Sequence, residues 1–416
     1  MVSLTKDPAD PWEQNLFVLA TAQIVAVSAM GVILPMIPFF VRELGVTDRD
    51  AVERWSGWIF SGPFLAAGLM APVWGHLGDR FGHKKMVIRA VFGLAIVNLA
   101  LVFVRTPLQF YVLRLVQGLV TGFIPASFSM MAASTPPAKL PHAMARLNGA
   151  ASAGRLIGPA IGGLLATMLP FRHLFLLVGG AMFLAAVFVA GNLREAPVTA
   201  ADRAASPWSN LRFAMGAGRF RLALGGLLVS MASVSMIMPI FPLFVEDLLP
   251  AGTDPKVWTG VGFAVVAAFT LLGSWTLGPA CARFGLKNVF VFSLALTAAA
   301  LLLHPLARSV GPMLVARALL GLGVAGIAPV LQAMIGRESP ASIRGGMAGY
   351  ASAATILGFF VGPVCGGWLA NVVGVSGVFG IAATIAMVCA LLAALLTRRR
   401  GGPPPPLPMF EPQAPR

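Results

Sequence analysis

Charge is what this sequence has least of. Only 11% of its 416 residues are Asp, Glu, Lys or Arg, 57% are hydrophobic, and the mean hydropathy is +0.84. Soluble domains carry about 25% charged residues, so no water-soluble fold hides this much apolar surface and the chain is expected to live in lipid. Cysteine is also scarce. Cys281, Cys365 and Cys389 show no CxxC spacing, so no disulfide, metal or other cofactor is expected. Carboxylates are missing from the apolar runs: each of the 15 acidic residues falls in a terminus, a loop or a helix end. With so few ionisable groups there is no set of nucleophile, base and oxyanion donors, and a membrane enzyme is not expected. The start of the chain, with Lys6, Asp7, Pro8 and Asp10, lacks the basic segment and cleavage site of a signal peptide. The first apolar run therefore reads as a retained helix.

Twelve apolar runs are present, near 15–41, 57–78, 86–104, 108–131, 143–169, 173–192, 220–245, 258–277, 288–307, 311–335, 346–371 and 376–397. Each is of a length that crosses a hydrocarbon core about 30 Å thick. Backbone groups in hydrocarbon must bond within their own segment, and the residue alternation of a membrane barrel is absent, so the fold class expected is all-α. Of the 30 basic residues, only Arg42, Arg49, Arg54, Arg105, Arg172, Lys256 and Arg308 fall in loops or helix ends on the side opposite the N-terminus. The positive-inside rule then puts both termini in the cytoplasm. The same distribution accounts for the net charge of +15 without nucleic acid, because the cations are spread over short loops, where they meet anionic lipid.

The chain repeats itself at a spacing of about 203 residues. Trp55 matches Trp258, Gly75 matches Gly278, Pro35 and Pro38 match Pro239 and Pro242, and Arg114 matches Arg317. Gly158, Pro159, Gly162 and Gly163 match Gly362, Pro363, Gly366 and Gly367. This duplication divides the chain into an N-terminal six-helix bundle over 1–193, a cytoplasmic linker over 194–219, a C-terminal six-helix bundle over 220–397 and a disordered Pro-rich cytoplasmic tail over 398–416. The linker has room for an interfacial helix near Trp208 to Met215. Two similar bundles around a central cavity are the pattern of secondary transporters, in which the halves rock about a site at their interface.

On these residues the chain resembles the major facilitator superfamily, and within it the twelve-helix drug:proton antiporters. The loop from Gly75 to Lys85 matches the signature loop between helices 2 and 3, with Gly78 and His83 as departures. Leu113, Arg114, Gln117, Gly118 and Gly122 match the helix-4 motif, and Gly154, Gly158, Pro159, Gly162 and Gly163 the helix-5 motif of exporters. Pro35, Pro38, Gly358, Gly362 and Pro363 match two further motifs. The resemblance implies export of small amphiphilic compounds from a bacterial-type inner or plasma membrane by alternating access. It implies a gate at Gly75, Asp79, Arg80, Gly82 and Lys84, with Asp79 and Arg80 latching the cytoplasmic ends of the halves. In the second copy Asp79 is replaced by Ala282, so that latch is one-sided. The partners expected are a small-molecule substrate, protons and bilayer lipid, with the protein acting as a monomer. A dedicated exporter or importer of a metabolite, siderophore or lipid, not necessarily driven by protons, is the competing reading.

Arg114, Arg155 and Arg317 lie in apolar runs, where a charge costs about 2.5 kcal/mol or more and normally faces a cavity or a partner. All three are candidates for the cavity, and the resemblance gives Arg114 a role in coupling or substrate contact. The stripe Gln23, Val27, Met30 and Leu34, with Met231, Ser235 and Met238, offers an adaptable apolar lining. Gln332 and Tyr350 add possible hydrogen bonds to substrate. With no carboxylate at mid-span, Glu43 and Asp247, at matching ends of helices 1 and 7, are the coupling candidates beside Asp79. His304 reads as structural. The glycines at four-residue spacing let helices approach closely, and the pivot between halves is assigned to helices 5 and 11.

Overall fold

The computed structural model describes residues 11–195, 216, 218–340 and 343–398, with residues 72, 75, 76, 79, 344, 345 and 396–398 described by backbone alone. The tail beyond 398, the proposed helix near Trp208 to Met215 and most of the linker lie outside the described residues. Among the described residues every regular element is a helix. α1 (Pro11–Ile33) runs through a 3-10 turn (Leu34–Met36) into α2 (Ile37–Glu43), the turn falling where Pro35 and Pro38 withhold two backbone donors. There follow α3 (Arg49–Phe81), α4 (His83–Ala100), α5 (Pro107–Val120), α6 (Phe123–Ser134), α7 (Leu140–Met168) and α8 (Phe171–Asn192). The second part of the chain forms α9 (Gly218–Met236), α10 (Phe241–Leu248), α11 (Lys256–Phe284), α12 (Leu286–Leu306), α13 (Val310–Glu338) and α14 (Arg344–Arg398).

Among the described residues nine helical stretches are long and apolar enough to cross a membrane. The runs expected at 57–78 and 143–169 lie in α3 and α7, outside those nine. The runs expected at 346–371 and 376–397 form the single element α14, which bends at Gly374 (φ 73). Local chemistry sets several ends. Asp48 caps α3 by accepting from the Ala51 amide at 2.8 Å. Gly82 and Gly285, at matching positions of the repeat, stop α3 and α11 with φ of 93 and 79, a conformation that suits glycine.

Helices before Leu193 pack on one another, α1 on α7 and α8, α3 on α5, and α4 on α8. Those after Gly218 do likewise, α9 and α12 on α14, and α11 and α12 on α13. The halves are joined chiefly by α3 with α14 and α7 with α11, with smaller contacts from the 3-10 turn Leu34–Met36 to α10 and α11. Leu69, Phe103, Met168, Leu184, Trp275, Leu306 and Val372 are each more than two-thirds exposed, an outward apolar surface at home in hydrocarbon.

Candidate functional site: a cleft closed at one end

The end of the molecule carrying residues 42–54, 246–256 and 371 is a polar lock between the halves; it is the far face, opposite the ends of the described chain. Arg42 donates from Nη1 to both oxygens of Glu246 at 2.7 and 2.8 Å. These two residues occupy equivalent positions of the repeat, so opposite charges meet where the halves face each other. Arg49 donates from both Nη atoms to Asp247 and from Nε to Glu53 at 3.3 Å. Asn371 donates to Glu53 Oε2 at 2.7 Å and accepts from Arg54 at 2.6 Å. Arg49, held by the hydrogen bond to Asp247, has its pKa raised above the usual guanidinium value. These hydrogen bonds, with that from Asn371 to the Asp50 carbonyl, tie the two halves together at this face.

Behind the lock the backbones touch. A Cβ placed on Gly163 would lie 2.7 Å from the Lys256 carbonyl oxygen and 3.0 Å from Gly260 Cα. A Cβ on Gly367 would lie 2.5 Å from the Glu53 carbonyl oxygen, and Gly57 meets the Pro363 carbonyl. The two seams are related by the repeat. Eighteen residues are about five helical turns, so residues so spaced share an azimuth. Gly278, on the azimuth of Gly260, is exposed with no atom near enough to meet an added Cβ, and Gly349 stands in the same relation to Gly367. On α7 the equivalent of Gly163 is Ala145, also exposed. The helices that touch at the far face therefore part toward the near face, leaving a cleft between the halves.

Arg155 fronts this cleft. At about 100° per residue, it lies between Gly154 and Gly158, which pack on Val27 and Ser28 of α1, and Pro159 and Gly163, which pack on α11. It is roughly opposite the outward residues Ile157 and Leu164, and it is exposed. The expectation that Arg114 and Arg317 also face a cavity is corrected: they are 1% and 2% exposed. Arg114 donates from Nε to the Ile59 carbonyl at 3.3 Å and from Nη1 to Gln117. The Ile59 carbonyl is free because the residue four positions on, Pro63, has no N–H. In the second half the position of Pro63 is Val266, no carbonyl is released, and Arg317 instead lies over Phe241 with its Cζ 3.0 Å from the ring centre.

The stripe on α1 is corrected in the same way. Gln23 is fully buried and donates to the Leu147 carbonyl of α7 at 3.4 Å, and Val27 meets Gly154, so this face packs rather than lines a cavity. Ser235 donates to the Gly358 carbonyl, and Met231 is buried. Met30 and Met238 are half-buried against the core, Tyr350 is half-buried and Gln332 exposed. The four-residue glycine stripes join helices within each half, Gly154, Gly158 and Gly162 against α1 and Gly358, Gly362 and Gly366 against α9. Contact with the opposite half is made by Pro159 and Gly163 of α7 and by Ile356, Phe359, Pro363 and Gly367 of α14. His304 is buried, bonded to the Ala300 carbonyl and stacked on Phe379. Glu43 is exposed and Asp247 sits in the lock.

At the near face Glu195 accepts from the Lys84 amide at 3.3 Å and lies against Gly82, while Arg80 is exposed beside Phe81. The role expected of Asp79 falls on a side chain outside the described residues. Arg89 was not singled out from the sequence. It lies over the Trp74 ring and donates to the Thr121 carbonyl, where α5 and α6 part at Gly122 (φ 118), and Trp74 donates to the Leu119 carbonyl. A crevice of about 600 Å³ among α9, α12, α13 and α14, with Arg221 and Lys287 on its walls, lies inside the second half, away from the cleft.

The family model of the Major Facilitator Superfamily matches residues 19–249 and again 222–415. The chain belongs to the Major Facilitator Superfamily. Two matches to one model restate the internal duplication. Among curated relatives of this superfamily member, multidrug resistance protein MdtG of Proteus mirabilis (strain HI4320) is 29% identical over 377 residues, covering 88% of this chain and 92% of the relative. An MFS-type transporter of Bacillus subtilis (strain 168), YuxJ, is 28% identical over 374 residues, with the same coverage. The crystal structure of the nucleoside transporter NupG shares the fold at a TM-score of 0.80 and 13% identity, over 93% of this chain and 100% of that one.

Proposed function

We propose that this superfamily member is a twelve-span exporter of small amphiphilic molecules, of the multidrug type and coupled to protons, working by alternating access between two six-helix bundles. The observation that carries this reading is the cleft, sealed at the far face by backbone contact and ion pairs and open at the near face. With the positive-inside orientation, the far face is external and the opening is cytoplasmic, the side from which an exporter loads. Arg155 fronts the opening, and among the described residues no carboxylate is placed at mid-span to meet a cation. A quaternary ammonium would lose hydration there without an anion to replace it, so neutral and anionic amphiphiles are the favoured cargo. The relatives named for multidrug resistance support the export reading.

Everted membrane vesicles, loaded with a panel of cationic, neutral and anionic dyes with and without a proton gradient, test this. Gradient-dependent accumulation of several neutral and anionic compounds is the expected result. Robust transport of quaternary ammonium dyes alone would overturn the cargo assignment, and transport of one metabolite to the exclusion of the panel would replace the multidrug reading by that of a dedicated carrier.

A further inference from the structure

Glu53 is the one buried acid among the described residues, 3% exposed, and it sits at the plane where the halves meet. It lies one turn before the apolar run at 57–78. Its backbone carbonyl abuts Gly367 of α14, so the closed seam itself buries it. One oxygen accepts from Arg49 Nε and the other from Asn371 Nδ2. Arg49 is shared, since both its Nη atoms serve Asp247. The other charged groups around the lock do not make up the shortage. On α2, Arg42 is taken by Glu246; on α3, Arg54 bonds Asn371 and lies 4.0 Å from Asp48, and Asp50 adds a further negative charge; on α11, Lys256 is paired with Asp254; and α14 offers neutral Asn371. Three guanidiniums thus face five carboxylates when Asp50 is counted with Asp48, Glu53, Glu246 and Asp247.

We propose that Glu53 takes up a proton from the external side as the far-face lock closes and returns it to that side when the lock reopens, so that external acid favours the inward-facing state without carrying net charge across the membrane. This rests on the alternating-access export reading and adds a pH dependence to its closing step; the proton that Glu53 holds is not the one exchanged for cargo. When α3 and α14 separate, Glu53 loses Asn371 and gains water; when they close, the carboxylate is desolvated beside an excess of acid. Burial pushes the Glu53 carboxyl up from its ordinary value, and the bonds from Asn371 and Arg49 only partly oppose this. A group that binds its proton more tightly in the closed state stabilises that state at low pH and loses the contribution as pH rises through the closed-state value. The direction fits an exporter: the empty carrier meets acid outside and closes. The proton adds to the Glu53 carboxylate as a carboxylic acid, and Arg49 is left to Asp247.

The test places spin labels at Thr47→Cys and Thr253→Cys, exposed loop positions on opposite halves, in a background with the three cysteines replaced by serine. Distance distributions are recorded in lipid nanodiscs from about pH 5 to about pH 8, a window that spans raised carboxyl values. The closed population should fall as pH rises, by up to about tenfold per unit for one linked proton. Glu53→Gln, a neutral mimic of the acid, should stay closed across the range, while Asp247→Asn should keep a pH dependence. A Glu53→Gln variant with the wild-type pH profile would overturn the proposal, as would closure favoured at high pH. Glu53→Asp guards against misfolding of the first variant: it should shift the midpoint, and an unmoved midpoint counts against the assignment. The distance measurement needs no substrate, so a failed vesicle assay with an intact pH profile sinks the export reading and leaves the lock, whereas export with a Glu53-independent profile sinks the lock alone.

Discussion

The same two helices, α7 and α11, give opposite answers at their two ends. Near the far face Gly163 and Gly260 bring backbones into contact, with no room for a Cβ; about five turns toward the near face, Ala145 and Gly278 on the same azimuths are exposed. The halves therefore behave as packed units that meet along a short seam, and contact at one end excludes contact at the other. Within each half the glycine stripes are buried against α1 and α9, so the parts that must stay together are those joined by the longest small-residue faces. Between the halves the backbone contact is limited to isolated glycines, gives way to side-chain contacts such as Phe64 on Phe359, and is finished with ion pairs that are each part-exposed, the kind of join that can open.

The most severe way to break this comparison is to fill the seam. Gly260→Leu forces a side chain into the Pro159 carbonyl and Gly163, and overpacking of about 1–3 kcal/mol would shift the closed-to-open ratio roughly 5- to 150-fold. Export should fall by more than tenfold while membrane insertion is retained, and spin labels across the far face should move apart; Gly278→Leu, at the end that is open here, should leave the far face closed even though it obstructs closure of the near face later in the cycle. Equal opening of the far face in both variants would show that the two ends do not differ as described. A smaller effect is expected at the cleft wall: Arg155→Ala should lower export of an anionic amphiphile about tenfold, the scale of one hydrogen bond to a charged group, and change that of a neutral one less than twofold. Competition between the two dyes in one vesicle preparation reads this directly. The smallest effect belongs to the outer ion pair. Arg42→Gln should shift the conformational balance by about twofold, since part-exposed pairs contribute roughly 0.2–1 kcal/mol, and the shift should shrink in high salt.

Much of the packing could be read from residue types. The four-residue glycine spacing located close helix contacts, and the repeat paired Pro35 with Pro239, which the structure places at equivalent breaks between α1 and α2 and between α9 and α10. The arginines were harder, because an apolar run reports that a charge is costly and not how it is satisfied. Arg114 is satisfied by a carbonyl that Pro63 released on another helix; the signal was in the sequence, one proline in a neighbouring span, but it has meaning only once α3 and α5 are side by side. Arg89 was passed over because it stands near the end of its run, and its partner is a break in α5–α6 that Gly122 makes possible. Glu53 was passed over for a related reason. It falls at a helix end, where a carboxylate is normally solvated, and its burial comes from Gly367 and Asn371, more than 300 residues away.

The sequence by itself determined the solvent and the parts: hydropathy demanded lipid, lipid demanded helices, and duplication demanded two similar halves. Tertiary structure decided which end of the cleft is shut, which arginine faces it and which carboxylate is trapped in the lock. Those outcomes depend on where helices distant in the chain come to lie against each other, and composition and periodicity describe one helix at a time.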